Sequence, residues 1–516
     1  MKSRPTAWIA VMSFVAALAL PVQLAAQGQS EFKERKDESP RYKLIDLGTF
    51  GGPASYYSEA GLGSRVLNNR GDVAGYADSS THDPYAPNCF DLDCFVSHVF
   101  RWHNGVRTDL GAFPGVNSSA ASAINARGWI VGFSEYGPID PLIGSPHAGA
   151  ALWRDGQMIN LGTLEGGADS NAVGVNDRGQ IVGFAANSIP DPFDPFGLPT
   201  QLRTFLWEKG VMKDIGTLGG PDAVPNTGIN ERGQITGSSY INFIPNPATG
   251  VPTADPFLWE DGDLIDLGSF GGTNGFGLAV NNRGQVVGQS NLAGDLETHA
   301  FLWDHGILTD LKTLGGTFST PTWLNEAGEV VGGSTIQGDQ IYQAFLWKEG
   351  VMTNLGTVDG DPCSQGNSIN EKGQVVGISA TCDFFTVQHA FLWEKGSMFD
   401  LNTLIPSNSS LRLFYAADIN DRGEIVGVGV PPTAPPNPDL FGHLFVLIPC
   451  DDDHGDTEGC EGNNGDAAAA AQDSSAPVPQ AQTTATPSNL TPSELRDRVR
   501  AMLTKRNHGF GPLPPK

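Results

Sequence analysis

Apolar and polar residues alternate along this chain in short runs separated by glycine-ended turns. In FLWEKGVMKDIG, from Phe205, two alternating runs flank Trp-Glu-Lys-Gly; in GINERGQITG, from Gly228, they flank Asn-Glu-Arg-Gly. Period-two alternation predicts strands with one buried face. A four-residue connection ending in glycine predicts a type I turn whose last residue is left-handed, because glycine takes positive φ without a Cβ penalty. Asparagine at the first turn position bonds the backbone two residues on. Both elements therefore read as β-hairpins.

The two hairpins alternate. The Asn-x-Arg-Gly element has eight copies, with central glycines Gly71, Gly128, Gly179, Gly233, Gly284, Gly328, Gly373 and Gly423, spaced by 57, 51, 54, 51, 44, 45 and 50 residues. Trp102, Trp153, Trp207, Trp259, Trp303, Trp347 and Trp393 mark the other element. Two hairpins per unit make four short strands, and this period predicts a β-propeller. The first unit begins at Tyr42 with YKLIDLGTFGG and lacks the FLW-type strand; HLFVLIPC, from His443, is such a strand with no partner after it. Pairing the two ends completes a blade. The expected fold is all-β: an eight-bladed propeller closed by the C-terminal strand, with seven blades as the alternative. An open stack would leave two sheet edges bare.

HAFLW at His299 and His389, together with the recurring LGTLGG-like and INxRGQVVG-like segments, resembles the bacterial HAF-repeat family of extracellular proteins. The resemblance covers roughly Tyr42 to Pro449, with degenerate copies at HVFRW (His98) and AALW (Ala150). It implies export and a propeller-like scaffold and leaves activity open.

The expected domains are a signal peptide (1–26), an N-terminal linker (27–41), the propeller (42–450), an acidic and low-complexity linker (451–490), a short helix (491–508) and a tail (509–516). Lys2 and Arg4 precede the apolar run Ala7 to Leu20, and QLAAQ follows with a cleavage position before Gln27. Thr491, Pro492 and Glu494 form a capping-box pattern that starts the helix. The mature chain is expected to be secreted, periplasmic or held at the cell surface, with no membrane span. Six cysteines suit such an oxidising compartment, and local spacing pairs Cys89 with Cys94, Cys363 with Cys382 and Cys450 with Cys460. Removing Lys2 and Arg4 takes the formal charge from −26 to −28, which argues against a nucleic-acid partner. Oligomeric state is left open.

Candidate chemistry is sparse. His98, His299, His389 and His443 share one register and are spread over different units, which favours a structural role over a metal site. The third residue of the Asn turns is often basic (Arg70, Arg127, Arg178, Arg232, Arg283, Arg422), against calcium binding there. Asp451, Asp452, Asp453 and Asp456 read as a solvated charge run. Asp83, Asp140, Asp191, Asp194 and Asp255 offer carboxylates for hydrolysis, yet no spacing selects a pair. No metal, cofactor or catalytic residue is assigned.

One asymmetry does stand out. From the strand-end glycine to the next FLW-type strand the gaps are 25, 19, 22 and 20 residues in the first four units, then 13, 13, 14 and 18. The long connections emerge on one face and carry Tyr85, Phe90, Phe193, Phe196 and Phe243, which are expected to contact a ligand. The expectation is a non-catalytic scaffold that binds a polysaccharide or protein through this face. The alternatives are a carbohydrate-active enzyme (glycoside hydrolase or lyase) and a structural surface or matrix component.

Overall fold

The computed structural model describes residues 40–451 apart from 58–64, 116, 140–145, 194–199, 248, 359 and 385–387, together with His454 and Cys460. The expected signal peptide, most of the N-terminal linker, nearly all of the acidic linker, and the C-terminal helix and tail lie outside the described residues. Within them the chain is nearly all strand, and its longest helix is the four-residue Pro438–Phe441.

The strands pair antiparallel in consecutive fours, in the manner of a β-propeller. The first four are Gly51–Tyr56, Val73–His82, Phe95–His103 and Val106–Gly111. The final four take three strands from the end of the chain, Arg412–Ile419, Ile425–Val430 and His443–Pro449, and one from its beginning, Tyr42–Asp46. Tyr42 faces Pro449 and Asp46 faces Phe445 in that register. The expected pairing of the two chain ends is therefore present. Three middle fours are joined by single parallel bridges, Ala254 to Asn274 and Thr298 to Phe318.

The Asn-x-Arg-Gly turn connects the first and second strands of each four and has the expected form. Asn230 Oδ1 accepts from the backbone N–H of Arg232 (3.0 Å) and Gln234 (2.9 Å), and Gly233 is left-handed at φ 90°. The Trp-turn differs from expectation. It is a two-residue turn with both residues left-handed, such as Lys209 (φ 53°) and Gly210 (φ 87°). Its twist matches that of the flanking strands, which a plain type I turn would splay.

The turn asparagines also do what the sequence did not announce. Each side-chain amide donates to the backbone carbonyl of the next unit's asparagine, at 2.8–3.3 Å, from Asn68 through Asn125, Asn176, Asn230, Asn281, Asn325 and Asn370 to Asn420. Asn420 in turn donates to the carbonyl of Asn68 at 3.0 Å.

Between neighbouring fours sit the FLW phenylalanines. Phe100, Phe205, Phe257, Phe301, Phe345, Phe391 and Phe445 are all 0 % exposed. The repeated histidines each face an aspartate: His98–Asp109, His147–Asp169, His299–Asp310, His389–Asp361 and His443–Asp46, at 2.8–3.3 Å. Three disulfides pair Cys89 with Cys94, Cys363 with Cys382 and Cys450 with Cys460, as the spacing predicted. Among the described residues no helix is long and apolar enough to cross a membrane.

Candidate active site

The first and longest connection, between Val73–His82 and Phe95–His103, is tied back on itself by the Cys89–Cys94 disulfide. Asp83 organises its start, accepting from the backbone N–H of Tyr85 (2.8 Å) and Phe90 (2.9 Å). The Phe90 ring packs on Phe133 (5.5 Å between centroids) and Tyr76 (6.2 Å), so it anchors the loop. Anchored this way, the loop turns Asp91 and Asp93 inward over the sheet, while Leu92 between them is 66 % exposed.

Beneath them lies Asp78, fully buried and directly opposite Ser97 across the two strands. Asp78 Oδ2 accepts from the Ala54 N–H at 2.8 Å. Ser97 Oγ lies 2.7 Å from Asp78 Oδ1 and 3.1 Å from Asp91 Oδ2. A hydroxyl has one proton, so it satisfies one carboxylate; the other contact requires a protonated carboxyl that donates to Ser97. The Tyr56 hydroxyl lies 2.9 Å from the Asp439 carbonyl and 3.1 Å from Asp93 Oδ2, and its one proton serves one of them. A second buried acid, Glu135, accepts from the Ser118 N–H at 2.9 Å, and Ser118 Oγ accepts from the Ser97 N–H at 3.2 Å.

Five carboxyls thus share one interior corner, and none of the ion pairs among the described residues involves them. Burial, and then the Asp93 charge, push Asp91 up to about 8. Burial, opposed by the Ser118 N–H and supported by Asp83, pushes Glu135 up to about 7. Asp78 is raised well above the carboxylate range by burial and then by Asp93. At neutral pH the corner therefore stores protons.

This sets a pH dependence. A carboxyl whose pKa is raised by folding keeps its proton where the unfolded chain has lost it. Its stabilising contribution is full below about pH 4 and is lost as pH rises through the folded value. The unfolding midpoint is expected to fall between pH 5 and pH 9, followed by scanning calorimetry. Asp91→Asn, whose amide can donate to Ser97 as the protonated acid does, should flatten that slope. An unchanged slope in the variant would remove Asp91 from the proton store.

Of the ligand contacts expected from sequence, Tyr85 and Phe90 lie around Asp83 at this corner. Phe193 and Phe243 lie on the connections of the third and fourth sheets, Phe243 being 58 % exposed, and Phe196 is outside the described residues. Of the expected carboxylates, Asp83, Asp191 and Asp255 are buried, and Asp140 and Asp194 lie outside the described residues. Asp78 and Glu135 were missed, although a signal exists. Both sit three residues after the strand-end glycine, where the other units carry Ala186, Tyr240, Asn291, Thr335, Ala380 and Val430. An acid written into a buried position of a repeat, in two adjacent copies, is a departure that packing does not explain.

No protein-family profile and no curated protein matches the sequence. Among solved structures the chain is similar to the acylaminoacyl peptidase of Pyrococcus horikoshii, at 13 % identity and TM-score 0.39, over 76 % of this chain and 58 % of that one. It is similar to the β-propeller domain of the Trilobed protease from Pyrococcus furiosus, at 10 % identity and TM-score 0.38, over 70 % and 95 %. A puromycin-hydrolyzing peptidase of Mycobacterium tuberculosis follows at 15 % identity and TM-score 0.37, over 76 % and 63 %. The chain spans 58 % of the length of the first of these. The likeness is one of fold. The expectation of a non-catalytic binding scaffold is withdrawn: the connection on which it rested sets Asp91 against Ser97 (3.1 Å) over the buried Asp78, and its Phe90 packs on Phe133.

Proposed function

We propose that the protein is an exported hydrolase of peptide bonds, built as an eight-bladed propeller that its N-terminal strand closes, with its acid–base groups at Asp78, Asp91 and Asp93. The observation that carries the catalytic reading is the Ser97 hydroxyl set between Asp78 Oδ1 (2.7 Å) and Asp91 Oδ2 (3.1 Å), whose single proton leaves one of the two contacts to be made by a protonated carboxyl. Two carboxyls sharing one proton are equipped to activate water, one taking a proton while the other holds one. The half-exposed Asp93 is the base that takes a proton from the attacking water. Buried Asp78 is a positioning residue that holds the Ser97 hydroxyl against Asp91. Asp91, protonated at neutral pH, donates to the leaving amide nitrogen as the carbon–nitrogen bond breaks.

Eight blades are supported by the eight asparagine-to-carbonyl bonds that lead from Asn68 back to Asn68, and closure by the Tyr42–Asp46 strand seated on His443–Pro449. Export is supported by the basic, apolar, small-residue sequence of the N-terminus and by three disulfides. The recurring HAFLW-like and Asn-x-Arg-Gly segments support a likeness to the HAF-repeat proteins.

The test is cleavage of a fluorescence-quenched peptide library at pH 4–9 by the mature protein and by Asp93→Asn. The variant is expected to lose at least about 100-fold in kcat/KM, an effect of general-base removal, with its unfolding midpoint retained. Folded wild-type protein that cleaves nothing in the library, or an Asp93→Asn variant as active as wild type, would end this reading.

A further inference from the structure

The Asn turns are tied to one another by a second set of bonds, and one unit breaks it. The residue after each turn asparagine accepts, through its side chain, from the backbone N–H of its counterpart in the unit before. Ala126 donates to Asp177 in this way, Asp177 to Glu231, Glu231 to Asn282, Asn282 to Glu326, Glu326 to Glu371, Glu371 to Asp421 and Asp421 to Asn69, at 2.8–3.1 Å. The next step would run from the Asn69 N–H to residue 126, where alanine has no acceptor. Among the described residues nothing accepts from that N–H.

The second unit departs from the repeat twice more. Four residues after the turn asparagine, seven units carry Asp, Glu or Gln, whose side-chain oxygen accepts from the asparagine amide at 2.6–2.9 Å. The second unit carries Trp129 there. In three units the glutamine amide also donates to the acid that follows the tryptophan of the other hairpin, Glu260, Asp304 or Glu394, at 2.8–3.0 Å. The second unit has Arg154 at that place, its guanidinium carbon 4.8 Å from the centroid of the Trp129 ring. Arg127 approaches the same ring at 5.7 Å. Neither guanidinium makes an ion pair or a side-chain hydrogen bond among the described residues. The sign of the turn is thereby reversed: Glu231 and Glu260 of the fourth unit correspond to Ala126 and Arg154. The acids nearby are already engaged, Asp177 Oδ1 by the Ala126 N–H (2.9 Å) and Asp72 by Arg101 (3.1 Å). A guanidinium seated on an aromatic ring keeps its N–H edge for an anion and has little freedom left to lose in meeting one.

We propose that the second Asn turn binds an acidic side chain, aspartate or glutamate, of an extended polypeptide. The site is the place that Asp177, Glu231, Glu326, Glu371 and Asp421 fill from within the chain in other units, so it is sized for that carboxylate. The incoming carboxylate accepts from the Asn69 N–H and pairs with Arg127. Arg154 meets a second acid close by on the same peptide, and Trp129 packs against the apolar atoms between them. This binding goes beyond peptide hydrolysis and does not rest on it. The turns lie before the second strands, and Asp91 lies on the connection beyond their far end.

The experiment uses the full mature chain carrying Asp93→Asn, so that binding is read apart from cleavage, and two fluorescein-labelled dodecapeptides that alternate Leu with Asp or with Asn. Fluorescence anisotropy is expected to show at least about tenfold tighter binding of the Asp peptide, as charge-assisted hydrogen bonds give, weakening with salt. Ala126→Asp puts the chain's own carboxylate in the site; it should cut that affinity at least about tenfold, with the unfolding midpoint retained. Arg127→Gln and Arg154→Gln should each cut it about threefold. Arg232→Gln, the counterpart of Arg127 in a unit whose place Glu231 fills, is the control for diffuse attraction and should leave the affinity unchanged. Equal binding of the two peptides, an Ala126→Asp chain that binds as its parent does, or a loss that Arg232→Gln matches overturns the proposal. Sodium polygalacturonate, added at equal carboxylate concentration, is expected to leave most of the Asp peptide bound. Complete displacement would give the site to an acidic polysaccharide and overturn the polypeptide class.

Discussion

Replacing Gly288 by alanine is expected to destabilise the protein by at least about 3 kcal/mol, through overpacking that the neighbouring backbone cannot relieve. A Cβ built on Gly288 would lie 1.9 Å from the carbonyl oxygen of Phe276 and 2.6 Å from the edge of the Phe301 ring. The first atom belongs to the adjacent inner strand, held in register with Gly277 opposite Gly288. The second belongs to a side chain that is 0 % exposed between two sheets. Neither can withdraw without breaking a ladder or opening the core. The same geometry recurs at Gly183, 2.0 Å from the Asn171 carbonyl, and at Gly377, 2.0 Å from that of Gln365. The glycine third in the VVG-type strands is thus a packing requirement. Thermal unfolding should show a midpoint lowered by on the order of 5 °C or more. Gly366→Ala is the comparison: its nearest neighbour is 3.3 Å away, and it should cost less than about 1 kcal/mol. Equal midpoints for the two variants would mean that the inner strands are more loosely seated than described here.

That glycine shows where the sequence spoke and where it did not. Its recurrence was visible as a repeat, and repetition led to four-stranded units, to the pairing of YKLID with HLFVLIP, and to all three disulfides. The reason for it was not visible, because a clash depends on which carbonyl the fold brings opposite. The turn asparagines follow the same logic. Their bond to the backbone two residues on was predictable from local chemistry. Their bond to the next unit's carbonyl needs the units side by side. The glutamines of the same turns take part as well: Gln234 Oε1 accepts from Asn230 at 2.7 Å, and its amide donates to Glu260 at 2.8 Å.

The candidate site was the least legible part, for a physical reason. A repeat advertises what every unit shares, while a site made once must lie in what one unit does differently. Attention to loop length led to the connection that covers the buried acids, with Tyr85, Phe90 and Asp83 in it. Aromatic content then pointed at surface contacts, whereas Phe90 is packed inward and Asp78 and Ser97 lie on the strands beneath. Asp78 is conspicuous only by comparison with Ala186, Tyr240 and Asn291 in the same place. The protonation of the cluster could not be read at all from the sequence. It follows from a single hydroxyl set between two carboxyls and from burial without a cation.

Removing residues 40–46 is expected to abolish cooperative folding of the mature chain. Tyr42–Asp46 supplies one of the four strands of the final sheet, and Tyr42 is 2 % exposed there. The strand's flanks are held too: the Tyr42 N–H donates to Leu404 (2.9 Å), that of Leu47 to Leu444 (2.9 Å), and that of Cys450 to Arg41 (2.8 Å). His443 also loses Asp46, its 3.0 Å partner. Burial of Tyr42, Leu44 and Ile45 at about 1.5–3 kcal/mol each is of the order of the whole stability of a typical domain. Its loss also bares the edge of His443–Pro449, an apolar strand open to pairing with another chain. The truncated protein should therefore unfold without a sharp transition and form oligomers in size-exclusion chromatography. A synthetic peptide spanning Pro40 to Gly48, added in excess, should restore the monomer and the transition by taking the vacant edge. The rescue separates a missing strand from general damage, since a peptide cannot repair a misfolded core. A truncated chain that stays monomeric with the wild-type midpoint would show that the strand is dispensable, leaving the asparagine bonds between turns to hold neighbouring units together.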